Sequence, residues 1–337
     1  KIDWSNRIDK ETINDINFIV NKYISSSDYN IKKNKGLELN SNNFKINFRE
    51  QKFILKRWSN DMEPFKIDNV LNLMIWLNEK KLPVQMPQLF KNGKYLIMYK
   101  KNFWSFFNYV EGNHFKGNVE EFKSTVKYVG KLANILQNYP IEKFNKAPNY
   151  FSASDYKILK LMNKKNFRLK KKFGKYSKNI RIYLPEIIKL FEKYKNFNSG
   201  KNKKKVGHID LHPHNIITKS NRVKALLDID SCKIIQDGYA IAYNALKICK
   251  QTAIYNKKKI DKKKIGKKFI FILKKEYKIS KHIRNNFYYF AISEVLRRLV
   301  YMFKLTIKNN DKKWNRIIPI QLGHLDECRE FFLEKHQ

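Results

Sequence analysis

Apolar and polar positions alternate early in the chain and later settle into helical periods. Phe44-Lys45-Ile46-Asn47-Phe48 alternates strictly, and Lys52-Phe53-Ile54-Leu55-Lys56-Arg57-Trp58 is rich in residues that fit a pleated surface. The polar Arg49-Glu50-Gln51 between them suits a turn, so the two runs predict a hairpin. The period then changes. Ile67, Val70, Leu71, Met74 and Leu77 recur at three and four and predict a helix, which Leu82-Pro83-Val84-Gln85-Met86-Pro87 ends. After the turn Lys91-Asn92-Gly93-Lys94, Tyr95-Leu96-Ile97-Met98-Tyr99 predicts a further strand.

From about Asn118 helical periods dominate. Asn118 is a candidate N-cap for the stripe Phe122, Val126, Val129, Leu132 and Leu136. Pro185 predicts the start of a helix running to about Lys195, and long helical patterns cover 237–252, 283–304 and 322–334. Two short β-rich pieces, 215–218 and 223–229, interrupt them around the turn Lys219-Ser220-Asn221-Arg222. No repeat is visible, and 198–205 is the most linker-like stretch. The pattern predicts an α+β chain of two lobes: a small β-rich N-lobe over 1–108 and a larger helical C-lobe over 109–337.

Composition narrows the class. With 42% hydrophobic and 14% aromatic residues the chain buries a core, which excludes a disordered polyelectrolyte. No apolar run is long enough to predict a membrane span, and KIDWSNRIDK lacks the basic-then-apolar order of a signal peptide. Cys232, Cys249 and Cys328 are far apart and show no CxxC spacing, so neither a disulfide framework nor a thiolate zinc site is expected. A reducing, cytoplasmic setting follows. The net charge of +41 raises nucleic acid or an anionic membrane surface as a partner. Against it, lysine far outnumbers arginine, whose fork grips phosphate and guanine in two places. The basic runs 164–175, 201–205 and 257–268 are also scattered, and Asn and Ile are abundant, as AT-rich codons dictate. A nucleic-acid partner is therefore not expected, and oligomeric state is left open.

One constellation carries chemistry. In His208-Ile209-Asp210-Leu211-His212-Pro213-His214-Asn215 an Asp is followed five positions later by an Asn, and Asp228 lies thirteen residues beyond Asn215. Phosphoryl transfer to a hydroxyl needs a carboxylate to align the hydroxyl and accept its proton, and oxygen ligands that hold Mg²⁺ against phosphates. Asp210 suits the first role, Asn215 and Asp228 the second. The competing reading is a metal-dependent hydrolase built on His208, Asp210, His212 and His214. It leaves Asn215 and Asp228 without a role, and the order departs from H-x-H-x-D-H.

The motif resembles the aminoglycoside phosphotransferase superfamily, protein-kinase relatives that include choline kinases, type II homoserine kinases, sugar and amino-sugar kinases and spore-coat kinase-like proteins. The family pattern is approximately H-G-D-x-H-x-x-N, then an apolar strand ending I-D-F/W/Y-D/E; here it stands as HIDLHPHN and LLDIDS. The resemblance implies a bilobal protein-kinase-like fold and transfer from ATP, with Mg²⁺, to a small-molecule hydroxyl. It makes Asp210 the catalytic base, Asn215 and Asp228 the metal ligands, Asp230 the second acidic residue, and His208 the brace of the loop. Gly36 to Phe44 resembles the nucleotide loop, placing Asn40, Ser41 and Asn42 over the phosphates. Lys56 stands where the family has its phosphate-pairing lysine. Phe107-Asn108-Tyr109-Val110-Glu111-Gly112 resembles the hinge, where main-chain groups near Tyr109 and Val110 hold adenine, and Gly130-Lys131-Leu132-Ala133 matches the following helix. The likeness spans roughly 30–250.

Three departures stand beside it. The acidic partner of Lys56 has only Glu63 and Asp68 as candidates. Where the family often reads Y-D-L-A, whose Asp supports the catalytic loop, the chain has Tyr239-Ala240-Ile241-Ala242, and the helix ending Leu136-Gln137 lacks a common His. These motivate the alternative of a kinase fold that binds without catalysing. The expected acceptor is a sugar, amino sugar or amino alcohol such as choline or homoserine; with 30 acidic residues against 71 basic ones, a polycationic antibiotic is disfavoured. The aromatic runs 103–107 and 287–290 read as core before acceptor surface. Arg297 and Arg298 read as a solvated basic face or as contacts to a carboxylate or phosphate, with Glu294, Lys250 and Gln251 equally open.

Overall fold

Strands form where the alternation predicts them. In the computed structural model, which describes residues 8–24, 28–33, 42–59, 62–146, 151–195, 204–256 and 261–333, β2 (Asn43–Phe48) and β3 (Gln51–Arg57) pair antiparallel from Phe48↔Gln51 to Asn43↔Lys56. Arg49 takes the left-handed backbone of the tight turn, with φ 52°. With β1 (Asn30–Lys33), β4 (Pro87–Gln88), β5 (Ile97–Tyr99) and β6 (Asn102–Asn108) they make an antiparallel sheet in the order β1-β2-β3-β6-β4, β5 also pairing with β6. Helix α1 (Lys10–Asn21), which the pattern reading did not anticipate, is capped by the Asp9 carboxylate accepting from the Thr12 N–H at 2.7 Å. Its Ile16, Ile19 and Val20 are fully buried with Phe44, Ile46, Leu55, Trp104 and Phe106 of the sheet. Helix α2 (Pro64–Glu79) opens on a proline and buries the predicted Ile67, Val70, Leu71, Met74 and Leu77.

The chain divides into two compact units, Lys1–His114 with Asn215–Asp230, and Phe115–His214 with Ser231–Gln337. The first thus takes a hairpin from the middle of the sequence. That hairpin, β9 (Ile216–Lys219) and β10 (Arg222–Leu226), joins β7 (Asn113–His114) in a three-stranded sheet. It is fastened to the segment after α2, where the Leu226 N–H donates to Pro83 O and the Gln85 N–H donates to Leu226 O, both at 3.1 Å.

The second unit is mainly helical. Asn118 caps α3 (Val119–Leu136) by accepting from Glu120 and Glu121 N–H at 3.1 and 2.9 Å. Gly130 lets α3 approach α8 (Lys262–Glu276), since a Cβ there would meet Glu276 Cβ at 2.6 Å. Between these lie α4 (Ala153–Met162), α5 (Leu169–Phe173), α6 (Ser177–Tyr194) and α7 (Asp237–Tyr255); α9 (Lys281–Asn285), α10 (Phe287–Lys308) and α11 (Ile318–Phe332) follow. Strands β8 (Lys204–His208) and β11 (Cys232–Gln236) pair antiparallel, with His208 opposite Cys232. The pattern reading passed over this pair because neither run alternates.

Two helix boundaries differ from the expectation. Pro185 lies inside α6, because the stripe Ile180, Leu184, Ile187, Ile188 and Phe191 is buried on both sides of it. The pattern at 283–304 is two helices, broken at Asn286. Trp104, Phe106 and Phe107, and likewise Phe287 to Phe290, are buried, so these aromatic runs are core. No described helix is long and apolar enough to cross a membrane. The fold is α+β, as expected.

Candidate active site

The hairpin of the first unit explains the thirteen-residue spacing. Ile216 pairs with Leu226, and the Leu227 N–H donates to Asn215 O at 2.8 Å, so Asn215 and Asp228 emerge at the same end of the hairpin. Asn215 is buried, while Asp228 is exposed and takes a left-handed backbone with φ 58°. Asp tolerates that conformation better than most side chains, and here it turns the chain out of the strand.

Lys56 reaches this end from β3. Its Nζ lies 2.8 Å from Asp230 Oδ2 and 3.6 Å from Asp228 Oδ1, and sits over the Trp58 ring at 4.3 Å. Trp58 is itself fixed by donating Nε1–H to Ser105 Oγ at 2.9 Å. Burial disfavours the charged amine, but Asp230 and then Asp228 outweigh it and raise the Lys56 pKa. The partner sought from α2 is thus supplied by the hairpin. Glu63 pairs with Lys66 at the start of α2, and Asp68 is exposed.

The remaining candidates of this unit are less concentrated. Asn40 and Ser41 lie outside the described residues; Asn42 accepts from the Arg57 guanidinium at 3.2 Å and its carbonyl accepts the Arg57 N–H at 2.7 Å. At the predicted hinge, the Tyr109 N–H donates to Lys52 O at 3.1 Å, and its ring lies under Lys45 Nζ at 4.0 Å. Val110 follows directly, half-buried. Glu111 pairs with Lys52 at 2.6 Å.

Asp210 and His208 belong to the second unit. His208, 2% exposed, ends β8, and its Nδ1 accepts the Asp210 N–H at 3.2 Å. Asn244 of α7 brackets the same turn, donating Nδ2–H to His208 O at 2.8 Å and accepting the Leu211 N–H at 3.0 Å. Arg298 of α10 donates to Ile209 O at 2.8 Å. The Asp210 carboxylate is salt-bridged to Lys247 and lies 3.5 Å from Arg298 Nη1. Burial opposes its ionisation, but Lys247 and then Arg298 hold the carboxyl well below the usual range. Both cations also stack on Tyr243, at 4.4 and 4.3 Å from the ring centroid. Glu294, 1% exposed, accepts from Arg298 Nε and Arg297 Nε, both at 2.8 Å. Arg297 and Arg298 therefore face inward, and the solvated-face expectation does not hold.

Asn244 and Lys247 escaped the sequence reading. The signal was present: Tyr243-Asn244-Ala245-Leu246 has a tyrosine followed by an amide where Y-D-L-A has an acid, four residues after the segment first compared with it. The loop support is therefore supplied by Asn244.

The oxygen donors Asn215, Asp228 and Asp230 at one hairpin end form a hard, partly anionic set that fits Mg²⁺. The histidines do not assemble in that way. His208 Nδ1 and His212 Nδ1 each accept a loop N–H, and among the described residues no three His, Cys, Asp or Glu side chains gather as a metal group.

Comparison with known proteins places this arrangement in a class. Residues 34–235 match the phosphotransferase enzyme family, so the chain belongs to that family and is a small-molecule phosphotransferase. Similar solved structures include an amicoumacin kinase in complex with AMP-PNP, Ca²⁺ and Ami, 11% identical, with 95% of this chain and 94% of that chain covered and a TM-score of 0.66. A microcompartment-associated aminopropanol kinase is 11% identical over 94% of this chain and 95% of that one, with a TM-score of 0.63. A choline kinase from Streptococcus pneumoniae is 13% identical over 94% and 99%, with a TM-score of 0.53. No curated protein sequence matches the chain.

Proposed function

We propose that the protein transfers a phosphoryl group from ATP, with Mg²⁺, to a hydroxyl of a small metabolite such as a sugar, amino sugar or amino alcohol. The observation that supports this most is the meeting of Lys56 with Asp230 and Asp228 from sequence positions far apart, at the hairpin end that also holds Asn215. A phosphate-pairing cation beside hard oxygen ligands is what a metal–nucleotide substrate requires. The bound nucleotides of the amicoumacin kinase complex are in keeping with it.

In this reading Asn215 and Asp228 hold Mg²⁺, which would neutralise charge on the phosphate oxygens. Lys56 pairs with those phosphates, the loop containing Asn42 covers them, and the main chain near Tyr109 and Val110 holds the base. Since the Tyr109 N–H is engaged by Lys52, the hinge contact falls to Val110 and neighbouring carbonyls. Asp210 orients the acceptor hydroxyl and takes its proton as the oxygen bonds to the γ-phosphorus and ADP departs. His208 and Asn244 keep the Asp210 turn in place. The departures that motivated a non-catalytic reading have replacements here, Asp230 for the missing helix acid and Asn244 for the missing loop acid. Three buried free cysteines agree with a reducing, cytoplasmic setting.

The test is ADP formation with hexoses, hexosamines, choline, ethanolamine and homoserine, in wild type, Asp210→Asn and Asp228→Ala. Asp210→Asn is expected to lose about 10²–10⁴-fold in turnover with nucleotide binding retained. Asp228→Ala is expected to weaken Mg²⁺–ATP binding itself. Full transfer by Asp210→Asn overturns the assignment.

A further inference from the structure

Helix α8 of the second unit carries its charge where folding has least use for it. Lys262, Lys263 and Lys264 fill its first turn, the end at which the helix dipole favours acids. The exposed residues Lys264, Lys267, Lys268, Phe271, Lys274 and Lys275 then recur at three and four, so they form one solvent-facing stripe. Phe271 is 58% exposed and lies at the middle of that stripe, with lysines three and four positions away on both sides. Lys275 Nζ sits over its ring at 4.7 Å. The opposite face is fixed to the core. Ile265, Phe269, Ile272 and Leu273 are buried, and Gly266 passes so close to Phe331 of α11 that a Cβ would strike its carbonyl. Lys262 pairs with Glu330 at 2.6 Å; the stripe lysines form no ion pair among the described residues. Glu276, the one acid of α8, lies against Gly130 of α3, and Glu120 of α3 is engaged by Lys123 at 2.7 Å, ahead of the weaker pull of Lys268. Like charges three and four apart repel, and an exposed ring is unfavourable in water, so the stripe works against folding.

We propose that this face of α8 docks on an anionic lipid surface, with Phe271 entering the headgroup layer and the surrounding lysines lying at the level of the phosphates. Charge complementarity sets the sign of the partner, and the ring at the centre of the lysines sets its kind. At a lipid interface an aromatic side chain leaves water while long ammonium side chains on either side stay with the phosphates. The wide apolar face of α8 is held in the core, so Phe271 inserts alone; attachment is mainly electrostatic, reversible and sensitive to salt. Nucleic acid fits this face less well. Its backbone is tracked by a basic groove and gripped by arginine forks, whereas the stripe is an outward helix face that contains no arginine. A membrane plane meets such a face along its whole length. Codon bias adds lysine without regard to helical phase and does not centre an exposed phenylalanine among the lysines. Membrane docking concerns where the chain is held and stands apart from the phosphotransfer reading.

The experiment is co-sedimentation of the full chain with vesicles of phosphatidylcholine alone and of phosphatidylcholine mixed with phosphatidylglycerol, at low and at physiological salt. Partition into the mixed vesicles is expected to exceed that into the neutral ones about tenfold or more, and to fall as salt rises. The double variant Lys267→Glu with Lys274→Glu should lower it about tenfold or more, and Phe271→Ser about threefold or more. A matched reversal on α6, Lys189→Glu with Lys193→Glu, removes the same net charge from another exposed face and should change binding less than about twofold. The substituted positions are all solvent-exposed, so the fold is not at stake. Equal losses in the two double variants assign binding to the overall charge of +41 and overturn the proposal. Absence of binding to the mixed vesicles, or binding indifferent to Phe271→Ser, overturns it as well. A single-stranded oligonucleotide that binds the wild type more tightly than the mixed vesicles do, and loses affinity in the α8 double variant, identifies nucleic acid as the partner and removes the lipid assignment.

Discussion

Replacing Asn244 by Ala removes one side chain that satisfies two main-chain groups of the Asp210 turn at once. Asn244 is 4% exposed, donates to His208 O at 2.8 Å and accepts from Leu211 N at 3.0 Å. Neither group gains water when the amide is cut back, because His208 and Leu211 are buried as well. A buried donor or acceptor left without a partner costs about 1–3 kcal/mol, so with two such groups Asn244→Ala is expected to cost about 2–6 kcal/mol in equilibrium urea unfolding. Activity should fall further than stability explains, since the bracket spans Asp210: a shift of about 1 Å in a catalytic group costs on the order of 10²-fold. Asn244→Asp provides the internal control. Its carboxylate still accepts the Leu211 N–H but, when ionised, faces His208 O without a proton to donate. Burial and that carbonyl raise the carboxyl pKa above its unfolded value, so the variant should lie nearer wild type at pH 5 than at pH 8. An Asn244→Ala protein within about 0.5 kcal/mol of wild type and with full turnover refutes the bracketing role.

Three further outcomes follow from the same geometry. Lys56→Met leaves Asp228 and Asp230 together without their ammonium; it should raise the KM for ATP about tenfold or more while strengthening nucleotide-free Mg²⁺ binding by calorimetry, and weakening of both speaks against the shared site. Glu294→Gln removes the 1%-exposed carboxylate between Arg297 and Arg298 and should cost about 3–5 kcal/mol in urea unfolding, whereas a cost below about 1 kcal/mol contradicts its role as their common anion. His212 has its pKa lowered to about 4 by burial and then by Lys247, so the unfolded chain takes up a proton near pH 6.5 that the folded chain refuses until about pH 4. The stability His212 supports is present above pH 6.5 and lost across that window, and His212→Gln should flatten the fall there; an unchanged slope refutes the half-buried neutral imidazole.

What the sequence disclosed, and what it withheld, follows from range. Hairpins and capped helices are local, so the β2–β3 pair and the Asn118 cap were legible from a few neighbouring residues. The spacing of Asn215 and Asp228 was legible because a hairpin register converts sequence distance into position. Lys56 was legible only by resemblance, and its partners were sought in the next helix, where Glu63 instead pairs locally with Lys66. Asn244, Lys247 and Arg298 reach the loop from helices 33 to 89 residues away along the chain. Nothing in a helical stripe distinguishes such residues from an ordinary buried or solvated position. The aromatic runs were ambiguous for the opposite reason: any stretch that apolar has a buried partner, and core packing accounts for them.

The excess of lysine, read along the sequence, suggested an even basic background. In three dimensions the charge is sorted. At the hairpin end one lysine stands against Asp228 and Asp230, a local excess of negative charge that suits a divalent cation. At the Asp210 turn the balance is reversed: Lys247 and Arg298 flank Asp210, and Arg297 shares Glu294 with Arg298. Opposite signs at the two sets of groups cannot come from codon bias, which adds lysine without regard to place. They also have different consequences for chemistry. In the proposed reading, negative charge around Asp228 would be balanced by a metal, whereas positive charge around Asp210 lowers its basicity, so that the carboxylate would orient the hydroxyl more than remove its proton early. A weak base at that position suits a loose transition state, in which the acceptor proton departs only as the new P–O bond is nearly made.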